Sequence, residues 1–298
     1  MWQLIDDILL NDFSKKDIHV TTQRSKPNKS SVYDLIFSHH ARNNSEKIID
    51  YKQNYLPKLW YFDTDGYSGY SRLAEEPLEY FVPPDVLQDE DAMKDIRTFY
   101  EETIYPQTAN TKFVQQEKIE SNLPNEFLLI ATQIESDTVM KLKEIETEEM
   151  VHRAVKVSKR TGIPIVIKTH PRDRNINPIE RLIKKYRVTY EGYFFRSYGD
   201  IQSLLDLSVA TFIINSGVGF ETLMRLKPVF SFGKSDYAQA TWYNKDIDDI
   251  VDLLGRGVDK DLIMLFLYNY WQEIIDLSLS GYREKIYHII QDKLYGKK

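Results

Sequence analysis

A group of basic and imidazole side chains lies in residues 166–174, which have the sequence VIKTHPRDR. Lys168, His170 and Arg172 come at the end of an apolar run that is typical of a strand buried on both faces. Pro171 fixes the turn and disfavours a helical backbone at His170. Such a group of hydrogen-bond donors suits a phosphate or a carboxylate, and the alternative interpretation is a solvated loop with a chance histidine.

A second group lies in residues 214–223, INSGVGFETL, where an apolar run leads into a predicted helix. The residues at this junction are small or polar and let a ligand approach the backbone: Asn215, Ser216, Gly217 and Gly219. The start of a helix presents unpaired N–H groups and a partial positive charge, which favour an anion. Ser216 is equally suited to be the N-cap of this helix, a role that needs no ligand.

Glu221 falls in the first turn of the same helix, where its carboxylate either complements the helix dipole or accepts hydrogen bonds from ribose hydroxyls. The glycine spacing differs from that of a dinucleotide-binding fingerprint. Gly233, Lys234 and Ser235 also fail to make a P-loop, because Pro228 occupies the position of its first glycine.

Two carboxylates, Asp63 and Asp65, lie in residues 60–71, WYFDTDGYSGYS. A carboxylate beside a glycine-containing turn can act as a nucleophile or a general base, and aromatic faces nearby suit sugar rings. The alternative is a tight turn in which aspartate side chains hydrogen-bond to the backbone.

His39 and His40 form an adjacent pair, and adjacent side chains point in different directions. The sequence contains no HxH or HExxH spacing. We therefore expect no protein-bound metal and no cofactor.

Alternating strand and helix patterns after residue 124 must position these groups. Strands are predicted at 127–132, 163–168, 188–190, 209–214 and 228–232, and helices at 144–161, 179–186, 201–207, 219–226, 247–254, 259–277 and 281–295. This alternation favours βαβ units in a doubly wound sheet. Ligands in such folds bind beyond the carboxyl ends of the strands, so the loops at Gln133, His170, Asn215 and Gly233 should converge.

The first part of the chain is less regular, with short apolar runs between polar loops and a helical pattern at 91–103. We expect residues 1–122 to form a small, irregular N-terminal domain. Residues 123–298 should form a Rossmann-like domain with C-terminal helices. A length of 298 residues suits two such domains.

Composition excludes several classes of protein. Lys and Arg number 39 against 45 Asp and Glu, and the net charge of −6 disfavours a nucleic-acid partner. Without cysteine there is no disulfide, thiol nucleophile or thiolate metal site. No apolar run approaches the roughly 20 residues of a membrane span, and we see no secretory signal pattern. We therefore expect a cytoplasmic protein.

Taken in order, the motifs resemble those of the capsule polysaccharide biosynthesis family. The resemblance covers roughly residues 124–240 and rests on IATQIESD with Gln133 and Asp137, the junction of Lys168, His170 and Pro171, the helix start with Ser216, Gly219 and Glu221, and KPVFSFGKSDY with Pro228, Gly233 and Tyr237. Earlier in the chain, DTDGY is similar to the family's acidic-Asp-Gly-aromatic motif, although Thr64 stands where an acidic residue would precede Asp65.

The best understood members of that family transfer 3-deoxy-manno-octulosonic acid (Kdo) and have a GT-B-like architecture. The resemblance implies an α/β fold of two Rossmann-like domains facing a central cleft. It also implies a glycosyltransferase that moves a sugar acid from a CMP-activated donor to a glycan or glycolipid acceptor. A lipid-linked acceptor would bring the protein to the inner face of the cell membrane as a peripheral contact.

The resemblance makes Asp65 and His170 the catalytic residues. Asp65 would be the nucleophile of a retaining reaction, and the reaction inverts if Asp65 instead deprotonates the acceptor. Nucleotide-sugar binding would fall to Gln133, Lys168, Pro171, Arg172, Asn215, Ser216, Gly217, Gly219, Glu221, Gly233 and Tyr237. Near the acceptor we expect His39, His40, Asp63, Tyr67 and Tyr70.

Two further interpretations stay open. A nucleotide-diphosphate-sugar donor would keep the enzyme class and would add a metal requirement. The divergent loop around Asp65 also fits a non-catalytic glycan- or nucleotide-binding protein of the same fold.

Overall fold

The computed structural model describes residues 3–5, 7–8, 35–39, 47–63, 65–110, 122–173 and 177–295. The chain forms two compact units. The smaller unit comprises Met1–Asn54, Lys58–Tyr67 and Ile274–Lys298, and the larger comprises Tyr55–Pro57 and Ser68–Glu273. This division differs from the predicted boundary at residue 122, because residues 68–122 belong to the larger unit and the end of the chain belongs to the smaller one.

The smaller unit contains a four-stranded mixed sheet of β1 (Ile36–His39), β2 (Ile48–Gln53), β3 (Leu59–Asp63) and the last strand of the chain, β10 (Ile275–Asp276). Strands β1 and β2 are parallel, whereas β2 with β3 and β3 with β10 are antiparallel. The final helix, Tyr282–Tyr295, buries Ile286 and Ile290 in the core of this sheet. This apolar face explains why the end of the chain belongs to the smaller unit.

The larger unit contains a six-stranded sheet that is parallel throughout, in the order β6-β5-β4-β7-β8-β9. Its strands are β4 (Phe127–Ala131), β5 (Ile165–Lys168), β6 (Phe194–Arg196), β7 (Ser208–Ile213), β8 (Val229–Ser231) and β9 (Trp242–Tyr243). Every residue of β4 and β5 is buried, as a strand covered on both faces requires.

The helices of the larger unit are α1 (Leu78–Phe81), α2 (Pro84–Gln88), α3 (Glu90–Phe99), α4 (Thr147–Thr161), α5 (Asn177–Thr189), α6 (Ile201–Leu207), α7 (Gly217–Leu223), α8 (Ile247–Arg256) and α9 (Lys260–Glu273), and Tyr282–Tyr295 is α10. Local signals set several ends. Asp89 caps α3 by accepting from the N–H groups of Asp91 and Ala92, and Gly162 ends α4 in the left-handed conformation at φ 72°.

The predicted alternation of strand and helix is confirmed, with two local errors. The strand expected at 188–190 is wrong, because α5 continues to Thr189 and β6 begins at Phe194. Val188 gave the strand signal, yet its side chain is 79% exposed on the helix. The helix expected to reach residue 277 ends at Glu273, because Ile275 and Asp276 pair with β3.

In the ranges that the structure describes, no helix combines the length and apolar character needed to cross a membrane.

Candidate functional site

Three of the four loops predicted to converge at the carboxyl edge of the parallel sheet contact one another, namely those after β4, β7 and β8. A short helical turn after β4, Thr138–Leu142, joins the loops that follow β7 and β8. Asn215 Nδ2 donates to Val139 O at 2.7 Å, and Lys234 N donates to Leu142 O at 2.9 Å. Lys143 and Gly233 complete this junction as an antiparallel bridge.

His170 occupies a tight turn directly after β5. Its Nδ1 accepts the N–H of Arg172 at 3.1 Å, and its carbonyl accepts the N–H of Asp173 at 3.0 Å. Burial lowers the pKa of His170, and the nearby Asp173 and Asp137 carboxylates oppose that shift. The imidazole is therefore neutral at neutral pH, and since Nδ1 is an acceptor, the ring proton belongs on Nε2. Nε2–H is thus the hydrogen-bond donor of this ring.

Lys168 has a structural contact that the sequence analysis did not foresee. Its ammonium is buried and donates to the carbonyls of Gly199 at 2.6 Å and Tyr198 at 3.3 Å, which lie in the loop after β6. Lys168 therefore holds the neighbouring loop, and its binding of a phosphate stays a prediction. Pro171 and Arg172, by contrast, are exposed.

The start of α7 is closely packed by protein atoms. Ser216 is the N-cap, and its Oγ accepts the N–H of Val218 at 3.4 Å. A Cβ atom on Gly217 would lie 2.7 Å from the ring of Tyr55, and one on Gly219 would lie 2.4 Å from Ile213 Cδ1. These glycines admit neighbouring side chains of the protein, and their binding of a nucleotide sugar stays a prediction.

Gly233 and Tyr237 also pack against the protein. A Cβ atom on Gly233 would lie 2.8 Å from Ile214 Cγ2. Tyr237 is fully buried, and its hydroxyl donates to the carbonyl of Ser216. Burial and the neighbouring Asp236 raise the pKa of Tyr237 well above its usual range, so the phenol stays protonated. Tyr237 thus supports the loop before α7, and its contact with a nucleotide sugar stays a prediction.

Glu221 is buried in a polar network below the start of α7. Its Oε2 accepts from Gln202 Nε2 at 2.6 Å, and the same nitrogen donates to Asn110 O at 3.1 Å. Arg225 donates to Gln202 Oε1 at 2.7 Å, which fixes the orientation of the amide. Ribose binding by Glu221 stays a prediction.

Among the buried polar atoms at the same edge, two that lie at the ends of β4 and β7 have no hydrogen-bond partner among the described residues. They are Thr132 Oγ1, directly after β4, and Asn215 Oδ1, directly after Ile214. Thr132 is 4% exposed and Asn215 is 2% exposed. Such atoms cost free energy unless a ligand or water pairs with them. Gln133 is half-buried beside Thr132 in the sequence.

Asp63 and Asp65, at the end of β3 and just after it, have different roles in the local structure. Asp63 Oδ1 accepts the N–H groups of Asp65 at 2.8 Å and of Gly66 at 3.2 Å. Asp63 therefore makes the tight turn that was the alternative interpretation of this motif, and its contact with an acceptor stays a prediction. Asp65 is more exposed than Asp63, so the turn presents the second carboxylate.

The remaining predicted acceptor residues divide differently. Tyr67 is buried in the smaller unit, and Lys52 Nζ lies 3.7 Å from its ring centroid, so its ring does not offer a face to a sugar. Tyr70 belongs to the larger unit and donates to Thr138 O at 3.1 Å. His39 is exposed with its ring 5.1 Å from Tyr51, and burial and Lys52 lower its pKa. His40 lies outside the described residues.

Within the described ranges, no group of three histidine, cysteine, aspartate or glutamate side chains is placed to hold a metal ion.

The capsule polysaccharide biosynthesis protein family model matches residues 85–243, which is more than half of the chain. The chain belongs to this family. The match includes every predicted nucleotide-binding residue, from Gln133 to Tyr237, whereas Asp65 precedes it. No curated protein matches the chain.

Among solved structures, this family member is similar to the β-Kdo 2,4-transferase of Thermosulfurimonas dismutans KpsC. The TM-score is 0.53 and the identity 16%, over 89% of this chain and 89% of that chain. The β-Kdo 2,7-transferase of the same protein gives a TM-score of 0.47 and 17% identity, over 84% and 80% of the two chains. The first similarity confirms the α/β, GT-B-like fold class.

Sequence reasoning missed three residues of this family member that carry its site geometry. Thr132 had a usable signal, since it directly follows a buried strand at the edge where Gln133 was chosen. Asp236 and Tyr55 had none, because their hydrogen bond joins positions 181 residues apart.

Proposed function

We propose that this family member is a glycosyltransferase of capsule-type polysaccharide biosynthesis that transfers a sugar acid, such as Kdo, from a CMP-activated donor to a glycan or glycolipid. The observation that carries the proposal is the carboxyl edge of the parallel sheet, where the neutral His170 follows β5 and the buried oxygens of Thr132 and Asn215 have no hydrogen-bond partner among the described residues. That edge offers a hydrogen-bond donor for a phosphate and acceptors for a polar ligand. We further propose that the protein acts in the cytoplasm, at the inner face of the membrane.

A CMP leaving group carries one phosphate, and its charge can be stabilised by donors without a divalent metal. In this proposal, His170 Nε2–H and Arg172 contact that phosphate. Lys168 acts on the site indirectly, because it holds the loop after β6. Glu221 stays the candidate for the ribose hydroxyls.

Asp65 is the proposed catalytic carboxylate. In a retaining reaction, a carboxylate oxygen of Asp65 bonds to the anomeric carbon as the bond to CMP breaks, and the acceptor hydroxyl then displaces Asp65. In an inverting reaction, Asp65 takes the proton of the acceptor hydroxyl as it attacks. The turn held by Asp63 supports either role, since it presents Asp65 without using its side chain for that turn.

Calorimetric titration with CMP, UMP and UDP, with and without magnesium, tests the donor. We expect CMP to bind in preference and without metal, and His170→Ala to weaken CMP by at least about tenfold, or about 1.4 kcal/mol. His39→Ala is the matched control, because it removes another histidine with a lowered pKa and should leave CMP affinity unchanged. Preference for UDP with magnesium would move the donor to a nucleotide-diphosphate sugar, and no binding of any nucleotide would contradict the proposal.

Turnover of CMP-Kdo by Asp65→Asn tests the catalytic step. Because this change keeps the size of the side chain and removes its charge, we expect kcat to fall by at least about a thousandfold while CMP affinity stays within about twofold. Turnover that survives in Asp65→Asn would remove Asp65 from the mechanism.

A further inference from the structure

Asp236 is a fully buried carboxylate that the proposed chemistry does not use. Its Oδ1 accepts from the hydroxyl of Tyr55 at 2.5 Å, and its Oδ2 accepts from the hydroxyl of Tyr270 at 2.6 Å. All three residues belong to the larger unit. A buried carboxylate that receives a hydrogen bond on each oxygen is a rigid anchor, because moving either donor leaves part of the charge unsatisfied.

The hydrogen bonds continue from Tyr55 to Ser68. The two hydroxyl oxygens lie 3.0 Å apart. Enclosure and the Asp236 carboxylate raise the pKa of Tyr55 well above its usual range, so its phenol keeps its proton. That proton is donated to Asp236, and Ser68 therefore donates to Tyr55. The chain of bonds thus runs from Ser68 through Tyr55 to Asp236.

Each donor lies next to a point where the chain passes from one unit to the other. Tyr55 begins the short segment Tyr55–Pro57, Ser68 begins the longer segment Ser68–Glu273, and Tyr270 lies three residues before its end. Ser68 also has a left-handed backbone, with φ at 51°. Its carbonyl accepts from Ser71 Oγ at 2.7 Å, and this hydrogen bond holds the residue locally. A left-handed serine persists where its surroundings hold it.

Ser68 follows Asp65 by three residues. Described residues on both sides of Asp65 in the chain make hydrogen bonds. Before it, Asp63 accepts from the N–H groups of Asp65 and Gly66, and after it, Ser68 donates to Tyr55, which donates to Asp236. Tyr55 also packs where a Cβ atom of Gly217 would lie, at the start of α7.

We propose that Asp236, acting through Tyr55 and Ser68, is a positioning residue for the Asp65 segment. Tyr270 donates to the same carboxylate and provides the matched comparison for Tyr55. This inference rests on the proposed function only where it concerns turnover. The positioning itself is a property of residues 63–68.

Two matched variants separate positioning from folding. Tyr55→Phe and Tyr270→Phe each keep an aromatic ring and remove one hydrogen bond to Asp236. We expect both to lower the melting temperature to a similar extent. Only Tyr55→Phe, together with Ser68→Ala, should raise amide hydrogen exchange in peptides that span residues 61–70, by at least about fivefold. Equal exchange in Tyr55→Phe and Tyr270→Phe would overturn the proposal.

With CMP-Kdo as the donor probe, Tyr55→Phe should lower kcat by about tenfold or more and leave KM within about twofold, whereas Tyr270→Phe should keep kcat within about twofold. Faster exchange with unchanged kcat in Tyr55→Phe would overturn the link to Asp65. If the wild-type protein turns over no CMP-Kdo, the proposed function fails, and the exchange comparison still decides whether Asp236 positions the segment.

Discussion

The loop after β5 and the start of α7 look alike in sequence and differ in what occupies them. Each follows a buried strand with polar or small residues, and each was a candidate for anion binding. At the start of α7, Tyr55 and Ile213 fill the space that Gly217 and Gly219 leave. After β5, His170 Nδ1 accepts the N–H of Arg172, so the ring proton belongs on Nε2.

This difference shows that small residues beside a helix start serve packing as readily as ligand binding. The two roles can be distinguished by asking which atoms a Cβ atom added at the glycine would contact. Around Gly219 it meets side chains of the protein, so the absence of a side chain is explained without a ligand. At the neighbouring strand ends, the oxygens of Thr132 and Asn215 stay unexplained by any described protein partner.

The largest expected effect is on folding, at Gly219. In Gly219→Ala the new Cβ atom would lie 2.4 Å from Ile213 Cδ1 and 2.8 Å from the Tyr237 hydroxyl. We expect a loss of about 1–3 kcal/mol in the free energy of unfolding, because the core must shift to accept it. Urea denaturation measures the change.

Gly255→Ala is the control for that variant. Nothing lies within 4 Å of its added Cβ atom, and Gly255 is in helix α8, so we expect a gain of about 0.5–1 kcal/mol. If Gly219→Ala were as stable as the wild type and weakened CMP instead, the glycine would serve the ligand, and the comparison between the two regions would fail.

The next largest effect is expected on stability, at Lys168. This variant tests whether a residue beside the loop after β5 contributes to folding or to CMP binding. Lys168→Met keeps the length of the side chain and removes its hydrogen bonds to Gly199 and Tyr198. We expect a loss of about 1–3 kcal/mol in thermal denaturation, because buried carbonyls lose a charged donor. A variant that kept its stability and lost CMP affinity would show that Lys168 contacts the phosphate after all.

Thr132 gives the smallest effect. Thr132→Val keeps the shape of the side chain and removes the buried, unpartnered hydroxyl. The stability should change by less than about 1 kcal/mol, whereas CMP affinity should fall by about threefold to tenfold if the nucleotide pairs with this hydroxyl. Thr211→Val is a useful contrast, because Thr211 Oγ1 already accepts from Thr222 within the protein and should affect stability only. Equal CMP affinity in Thr132→Val and wild type would separate this strand end from the ligand.

Much of the fold was predictable, because its signals are local. Continuous apolar runs identified β4 and β5, and the left-handed Gly162 ended α4 where a glycine was expected. The prediction was wrong at Val188, where a β-branched residue continues a helix and is exposed. It was also wrong at Ile275, whose pairing partner on β3 is Trp60, more than two hundred residues earlier.

The sequence predicted where the candidate site lies better than it predicted what each of its side chains contacts. Topology placed four loops at one sheet edge, and hydrogen bonds join three of them, those after β4, β7 and β8. Lys168, Gly219 and Tyr237 lie at that edge, but each is occupied by a protein partner from another part of the chain. Spacing along the chain carries no information about those partners.

The sequence by itself determined the parallel sheet, the loops at its carboxyl edge and the resemblance to the capsule polysaccharide biosynthesis family. These follow from periodicity and turn chemistry, which act over a few residues. Only the tertiary structure decided that Asp63 makes the turn and presents Asp65, that Lys168 holds a loop, and that Tyr55 and Tyr270 meet on Asp236. Except for the local turn at Asp63, these contacts join distant segments, and a buried polar group takes whichever partner the packed chain brings within reach.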